Sequence, residues 1–263
     1  MTKASGIIAL LSDYGLQDAY VGVMKGALLS VNPEARIVDL THEIPPQDVR
    51  EGARVLAAAR GYFPDGTIFV AVVDPGVGTE RALVGVETDR QLFLAPDNGL
   101  LGFLGDSVQR RVRISQSKYF LKPLSNTFHG RDILAPLAGH LSRGIDLAEF
   151  GPALERLNSL DASEPRRGAD GGVQGEVVAI DRFGNLITNI PTGMLPEGPD
   201  VRITVGRKVL RKLSRSYADV PKGGVLALVG STGHLEIAVN QGSASKAARI
   251  RRGDRVLVTR SRR

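Results

Sequence analysis

Thr67-Ile68-Phe69-Val70-Ala71-Val72-Val73-Asp74-Pro75-Gly76-Val77-Gly78-Thr79 is the stretch on which the fold turns. From Ile68 to Val73 no polar residue interrupts an apolar, largely β-branched run. A strand with one wet face alternates apolar and polar residues. An unbroken run is what a parallel strand covered on both faces requires. Asp74-Pro75-Gly76 then ends it with turn residues. Residues 7–11 and 36–40 read as two more strands of the same sheet. Between and after them, 18–31 and 46–62 carry apolar residues at helical spacing, the latter through Val49, Ala53, Leu56, Ala57 and Arg60. Residues 82–88 and 91–95 read as strands joined by a tight turn at Asp89-Arg90, and 132–141 as a helix despite Pro136. This alternation predicts an α/β fold, a largely parallel sheet flanked by helices, over residues 1–160.

Near Asp161 the texture changes. Residues 161–172 are rich in Ser, Pro, Arg, Gly and Asp and read as a linker. Then come strand patterns at 173–180, 186–190, 201–205, 225–229, 234–239 and 255–259, separated by turn residues and by no long helical pattern. A C-terminal all-β barrel over 173–263 is expected. The chain has 263 residues, 42% hydrophobic and 24% charged, enough apolar material for a real core and too much for a disordered chain. It contains no cysteine, which removes disulfides and thiolate chemistry. No apolar run nears the roughly 18 residues that cross a bilayer, so no membrane partner is expected. Met1-Thr2-Lys3-Ala4-Ser5 has no secretory or transit pattern, and a cytoplasmic location is expected. From Arg207 onward 14 Lys/Arg face 3 Asp/Glu. These basic residues alternate with apolar ones, as in Val201-Arg202-Ile203-Thr204-Val205, which turns them outward from a sheet. Residues 261–263 are expected to fray. Tyr217 is the single aromatic beyond Arg207, whereas single-strand platforms need several, so nucleic acid is not an expected partner.

Ligands of open α/β sheets bind beyond the carboxyl ends of the strands. Those ends are Ser12-Asp13-Tyr14-Gly15, Thr41-His42-Glu43, Asp74-Pro75-Gly76-Val77-Gly78-Thr79 and Pro96-Asp97-Asn98-Gly99. Arg81 opens the strand after Asp74, and a turn would return it towards that carboxylate, either for chemistry or to close a loop. His129 lies in Asn126-Thr127-Phe128-His129-Gly130-Arg131-Asp132, just before a helix. His42, His140 and His234 carry no second feature and read as packing or surface residues. No dinucleotide fingerprint, phosphate loop or nucleophile elbow is present, and no histidine pair has metal-ligand spacing. In the second half, Asp181-Arg182-Phe183-Gly184-Asn185 reads as a hairpin with Phe183 and Asn185 at its tip. Phe suits a flat ring, and Asn offers a donor and an acceptor to a base edge. Gly230-Ser231-Thr232-Gly233 flanks one further strand.

Taken together, these motifs resemble the S-adenosylmethionine hydroxide adenosyltransferases, relatives of the fluorinase and chlorinase enzymes. The resemblance spans about residue 6 to residue 259 and adds Thr188-Asn189-Ile190 and Leu235-Glu236-Ile237-Ala238 to the segments above. It implies a homotrimer with active sites shared between subunits, and displacement at the ribose C5′ carbon giving adenosine and L-methionine without metal or cofactor. By the same resemblance Asp74, Arg81 and His129 surround the attacking water, and Asp13 takes the ribose hydroxyls. Asp18 falls at the methionine end. Phe183 and Asn185 fall on the adenine side, Ser231 and Val239 supply the barrel's contacts, and Asn98 and Glu236 complete the substrate-binding set. A halogenase of the same fold is the alternative. The charged triad and the short Asp89-Arg90 turn, which leaves no room for the fluorinase-type insertion, favour water. Ile187 stands where the fluorinase has a stacking tryptophan. A nucleic-acid-binding barrel and a nucleoside sensor without turnover are the other classes.

Overall fold

A computed structural model describes residues 2–161, 163–196 and 201–260. The expected fraying at 261–263 lies outside the described residues. The chain divides into two compact units, Met1–Leu160 and Asp161–Arg263.

The first unit is a six-stranded sheet in the order β2-β1-β3-β5-β4-β6, where β1 is Ile7–Ser12, β2 Arg36–Thr41, β3 Ile68–Val72, β4 Leu83–Thr88, β5 Leu92–Pro96 and β6 Val108–Arg113. The neighbours β2, β1, β3 and β5 are parallel, and β4 runs antiparallel to both β5 and β6. Every residue of β3 is buried. Ile68, Val70 and Val72 enter the core under helices α1 (Tyr20–Val31) and α3 (Ala135–Ser142). Phe69, Ala71 and Val73 enter the opposite core under helix α2 (Val49–Ala59). The unbroken apolar run is thus shared between two faces, residue by residue, as a period of two demands.

Helix boundaries differ from the sequence expectation for local reasons. Helix α2 starts at Val49 rather than 46, because Pro45 and Pro46 precede a left-handed Gln47 and Asp48 caps the helix through Glu51 N. The expected helix 132–141 is a wide π-helical turn, Gly130–Leu134, running into α3, with Pro136 in the first turn, where its missing N–H is tolerated. Strand β6 was not legible, because Val-Gln-Arg-Arg-Val-Arg is mostly polar, with three arginines. It is held as an edge, with Arg110 bonded to the buried Glu87 and to Asp146.

The second unit is an eight-stranded antiparallel sheet that curls into a nearly closed barrel. Its strands are β7 (Arg166–Arg167), β8 (Val173–Ile180), β9 (Leu186–Pro191), β10 (Val201–Val205), β11 (Lys208–Leu210), β12 (Val225–Val229), β13 (His234–Val239) and β14 (Arg255–Arg260). The order is β11-β10-β14-β8-β9-β13-β12, with β7 paired to β8. Alternating buried positions such as Val201, Ile203 and Val205 fill the barrel, while Arg202 faces out. The segment expected to be only a linker therefore contributes a two-residue strand. Strand β11 and the short helix α4 (Ala244–Ala248) had no strong sequence pattern. No described helix is long and apolar enough to cross a membrane.

Phe69 and Phe93 stack with ring centroids 5.1 Å apart and are at most 1% exposed. Phe93→Ala is expected to remove about 3–5 kcal/mol from the unfolding free energy of the first unit. A urea titration followed by far-UV circular dichroism measures it.

Candidate active site

The parallel strands deliver their carboxyl ends to one edge, and three side chains meet there. Asp74 follows β3 directly. Arg81, after a turn closed by Thr79 N on Gly76 O (3.1 Å), comes back against it. Arg81 Nε donates to both Asp74 oxygens at 2.9 Å, and Nη2 donates to Asp74 Oδ2. The same Nη2 lies 2.8 Å from His129 Nδ1. A guanidinium has no lone pair to offer, so Nδ1 is the acceptor and the imidazole proton sits on Nε2. Burial and then the Arg81 charge hold the His129 pKa below the ordinary histidine value, which keeps this neutral form. Arg81 Nη1 makes no hydrogen bond among the described residues.

Two local features allow the meeting. Gly78 is left-handed (φ 82°), and a Cβ there would lie 2.9 Å from Asn126 O, so only glycine lets the 74–79 turn touch the His129 loop. That loop is anchored by the fully buried Asp132, which accepts from Ser125 N at 2.7 Å and from Arg131. Gly130 leaves space for the Tyr14 hydroxyl, which would stand 2.4 Å from an added Cβ. Burial, then the Asp13 and Asp74 charges, push the Tyr14 phenol up, so it remains protonated. Tyr14, Tyr20 and Phe128 pack as an aromatic group beside His129, with centroids 5.4 to 6.0 Å apart.

The other first-unit candidates separate. Asp13 accepts from Gln47 N at 2.8 Å through Oδ2, and Oδ1 has no partner among the described residues. Asp18 is exposed and bonds to no described group. Asn98 is committed to the scaffold, donating to Val73 O at 2.8 Å and accepting from Leu100 N. His42 is a satisfied core histidine, as expected, bridging Ser12 Oγ (2.7 Å) and Asp39 Oδ1 (3.1 Å).

In the second unit a cavity of about 470 Å³ is lined by Phe183, Asn185, Tyr217, Val239, Gln241 and Gly242. Phe183 is at the hairpin tip, 75% exposed, but Asn185 is not: it is 6% exposed beneath the turn. Asp181 explains this, because its carboxylate accepts from Phe183 N, Asn185 N and Asn185 Nδ2 at 2.8 to 2.9 Å. With Nδ2 tied, Asn185 Oδ1 is left to accept. Glu236 is buried and reaches the cavity only through Tyr217, whose hydroxyl donates to it at 2.7 Å. Burial and then Asp181 push the Glu236 pKa up, and the bond to Glu236 pushes Tyr217 up to about 12. Ser231 is exposed in the β12–β13 turn and does not line the cavity. Tyr217, Gln241, Gly242 and Gln47 were missed as site residues. Tyr217 had one visible signal, being the lone aromatic of a basic segment. Among the described residues no three His, Cys, Asp or Glu side chains are grouped to hold a metal ion.

The comparisons agree across the chain. Residues 8–151 match the N-terminal domain, and residues 175–257 the C-terminal domain, of SAM hydroxide adenosyltransferase. An (R)-S-adenosyl-L-methionine hydrolase of Thermus thermophilus is 40% identical over 94% of this chain and 96% of its own length. A fluorinase of Nocardia brasiliensis is 30% identical over 98% of this chain and 99% of its own. The crystal structure of a conserved Thermotoga maritima protein, 40% identical, superposes with a TM-score of 0.90 over 96% of this chain and 100% of that one. With a sheet edge that assembles Asp74, Arg81 and His129 and family matches in both halves, the chain belongs to the SAM hydroxide adenosyltransferase family.

Proposed function

We propose that the protein hydrolyses S-adenosyl-L-methionine at the ribose C5′ carbon, giving adenosine and L-methionine. The observation that carries this is the Asp74–Arg81–His129 contact set at the sheet edge. The sulfonium is already a cationic leaving group and departs as a neutral thioether, so it needs no acid. Water is the weak partner, with a pKa of about 15.7. A full positive charge 4 Å away favours hydroxide by about 4 kcal/mol at an effective dielectric constant of about 20. Arg81 is paired with Asp74, so its effect is that of a dipole and smaller than this. Its unpaired Nη1 and the His129 Nε2–H are donors to the water oxygen, and both hold it for in-line attack. One C5′–O bond forms, the C5′–S bond breaks with its electron pair on sulfur, and one proton is released. His129 is no base in this tautomer, since both nitrogens are committed. Asp74 alone among the three keeps lone pairs for that proton.

Asp13 Oδ1 takes the ribose hydroxyls, and Asp18 faces the methionine end. In the second unit Phe183 and Val239 offer apolar contact to adenine, and Asn185 Oδ1 accepts from its exocyclic amine. Ser231 and Glu236 act at the margin of this subsite, and Asn98 holds strand ends rather than substrate. A homotrimer that shares each site between subunits suits a chain whose polar triad and apolar cavity lie in separate units. The support is the family resemblance. No cofactor is required.

Purified protein incubated with S-adenosyl-L-methionine should form adenosine and methionine, separated by chromatography. Chloride- or fluoride-dependent 5′-halo-adenosine would install the halogenase instead, and no nucleoside product at all would end both. Arg81→Ala should lower kcat about 100- to 1,000-fold with little change in KM. Asp13→Ala should raise KM about tenfold or more.

The pH dependence follows from His129. Protonating Nδ1 sets two donors face to face and breaks the Arg81 contact, so the neutral imidazole is the active form. Because its pKa is lowered, activity should persist down through pH of about 6.5 and fall only below it. His129→Gln keeps an acceptor for Arg81 without a titratable proton and should flatten the acid limb of the kcat/KM profile.

A further inference from the structure

Gln47, Gln241 and Arg249 are the described non-glycine residues with a left-handed backbone. Such a conformation costs energy for a residue with a Cβ and persists only where its surroundings impose it. Gln241 lines the second-unit cavity. Gln47, at φ 66°, lies in the first unit in Pro45-Pro46-Gln47-Asp48. The segment is constrained on both sides. Pro46 holds Pro45 extended. Asp48 N donates to Pro45 O, Val49 N donates to Gln47 O, both at 3.0 Å, and Asp48 caps α2. The Gln47 side chain is exposed and makes no hydrogen bond among the described residues. What the turn delivers is an amide: Gln47 N–H donates to Asp13 Oδ2 at 2.8 Å, from 34 positions along the chain.

We infer that Gln47 is a positioning residue for the sugar. Its left-handed turn holds one Asp13 oxygen so that the other is presented, in a fixed plane, to a vicinal diol. The inference rests on the hydrolase reading and adds to it the device that pre-organises Asp13. A carboxylate free to rotate would lose orientational freedom at each binding event, whereas one already bonded to a rigid amide does not. The backbone conformation, not the glutamine side chain, does the positioning.

The test compares adenosine with 2′,3′-dideoxyadenosine as competitive inhibitors of the wild-type enzyme and of Gln47 variants. The inhibition constant of dideoxyadenosine divided by that of adenosine isolates recognition of the hydroxyls from general stability. Gln47→Ile, whose β-branch disfavours a left-handed backbone, should lower that ratio about tenfold. Gln47→Gly and Gln47→Asn, which accept this backbone, should keep it within about twofold of wild type. If the isoleucine protein is unfolded by circular dichroism, Gln47→Thr makes the same comparison. An unchanged ratio in the β-branched variant overturns the inference. So does an equal loss in the glycine variant, which would assign the effect to the side chain. Failure of the wild-type protein to turn over S-adenosyl-L-methionine would instead overturn the hydrolase reading, so the two failures are separate.

Discussion

The guanidinium of Arg81, gripped by the Asp74 carboxylate and donating to His129 Nδ1, is the interaction around which the first unit is arranged. Asp74 and Arg81 side chains are 7% and 12% exposed. An ion pair that dry is a poor stabilising device, because desolvation consumes most of the Coulombic gain, and a well-packed apolar pair of the same volume serves stability as well or better. Its geometry serves chemistry instead. The fork of hydrogen bonds orients Arg81, Arg81 selects the imidazole tautomer, and the tautomer leaves an N–H on Nε2. Removing either charge would leave the other buried and unpaired, at a cost of about 3–5 kcal/mol.

That arrangement depends on the sheet in a direct way. Strand β3 is covered on both faces, so its side chains have no freedom to re-register, and Asp74 is forced to the edge where the apolar run ends. Arg81 returns there because β4 pairs antiparallel to β5, with Leu83 opposite Pro96. His129 arrives on a loop that Gly78 lets approach and Asp132 ties down. Three separate parts of the chain therefore share one edge, each held by backbone or by a buried carboxylate.

In the proposed hydrolysis the two units divide the chemistry. The first presents charge and hydrogen-bond donors, suited to a water molecule and a sugar. The second presents an apolar cavity with one oriented amide and a Tyr217–Glu236 pair, suited to a flat ring carrying a donor. Both use the same local device. Asp181 clamps the amide of Asn185 much as Gln47 N clamps Asp13, so that one polar atom of each is bonded and the other has no partner among the described residues.

Local pattern was enough to identify most strands and most long helices, because periodicity and continuous apolar runs report burial on one face or two. The barrel was legible for the same reason, through alternation in stretches such as Val201-Arg202-Ile203-Thr204-Val205. Asp74, Arg81, His129 and Asp13 could be nominated as strand-end or loop residues of the right chemical type. Their contacts could not, since spacing along the chain says nothing about which loops touch. Charged edge strand β6 and the three-residue β11 escaped because pairing partners, not composition, make them strands. Asn185 looked exposed in a hairpin and is buried, because Asp181 folds the turn over it. Asn98, nominated as a ligand, also braces the end of β3 through Val73 O. Gln47 gave no signal at all, for its contribution is a backbone N–H. Residue types were thus written in the sequence, while the tautomer, the free oxygen of Asp13 and the oriented amide of Asn185 arose only from tertiary contact, because a hydrogen bond's direction is set by the partner the fold supplies.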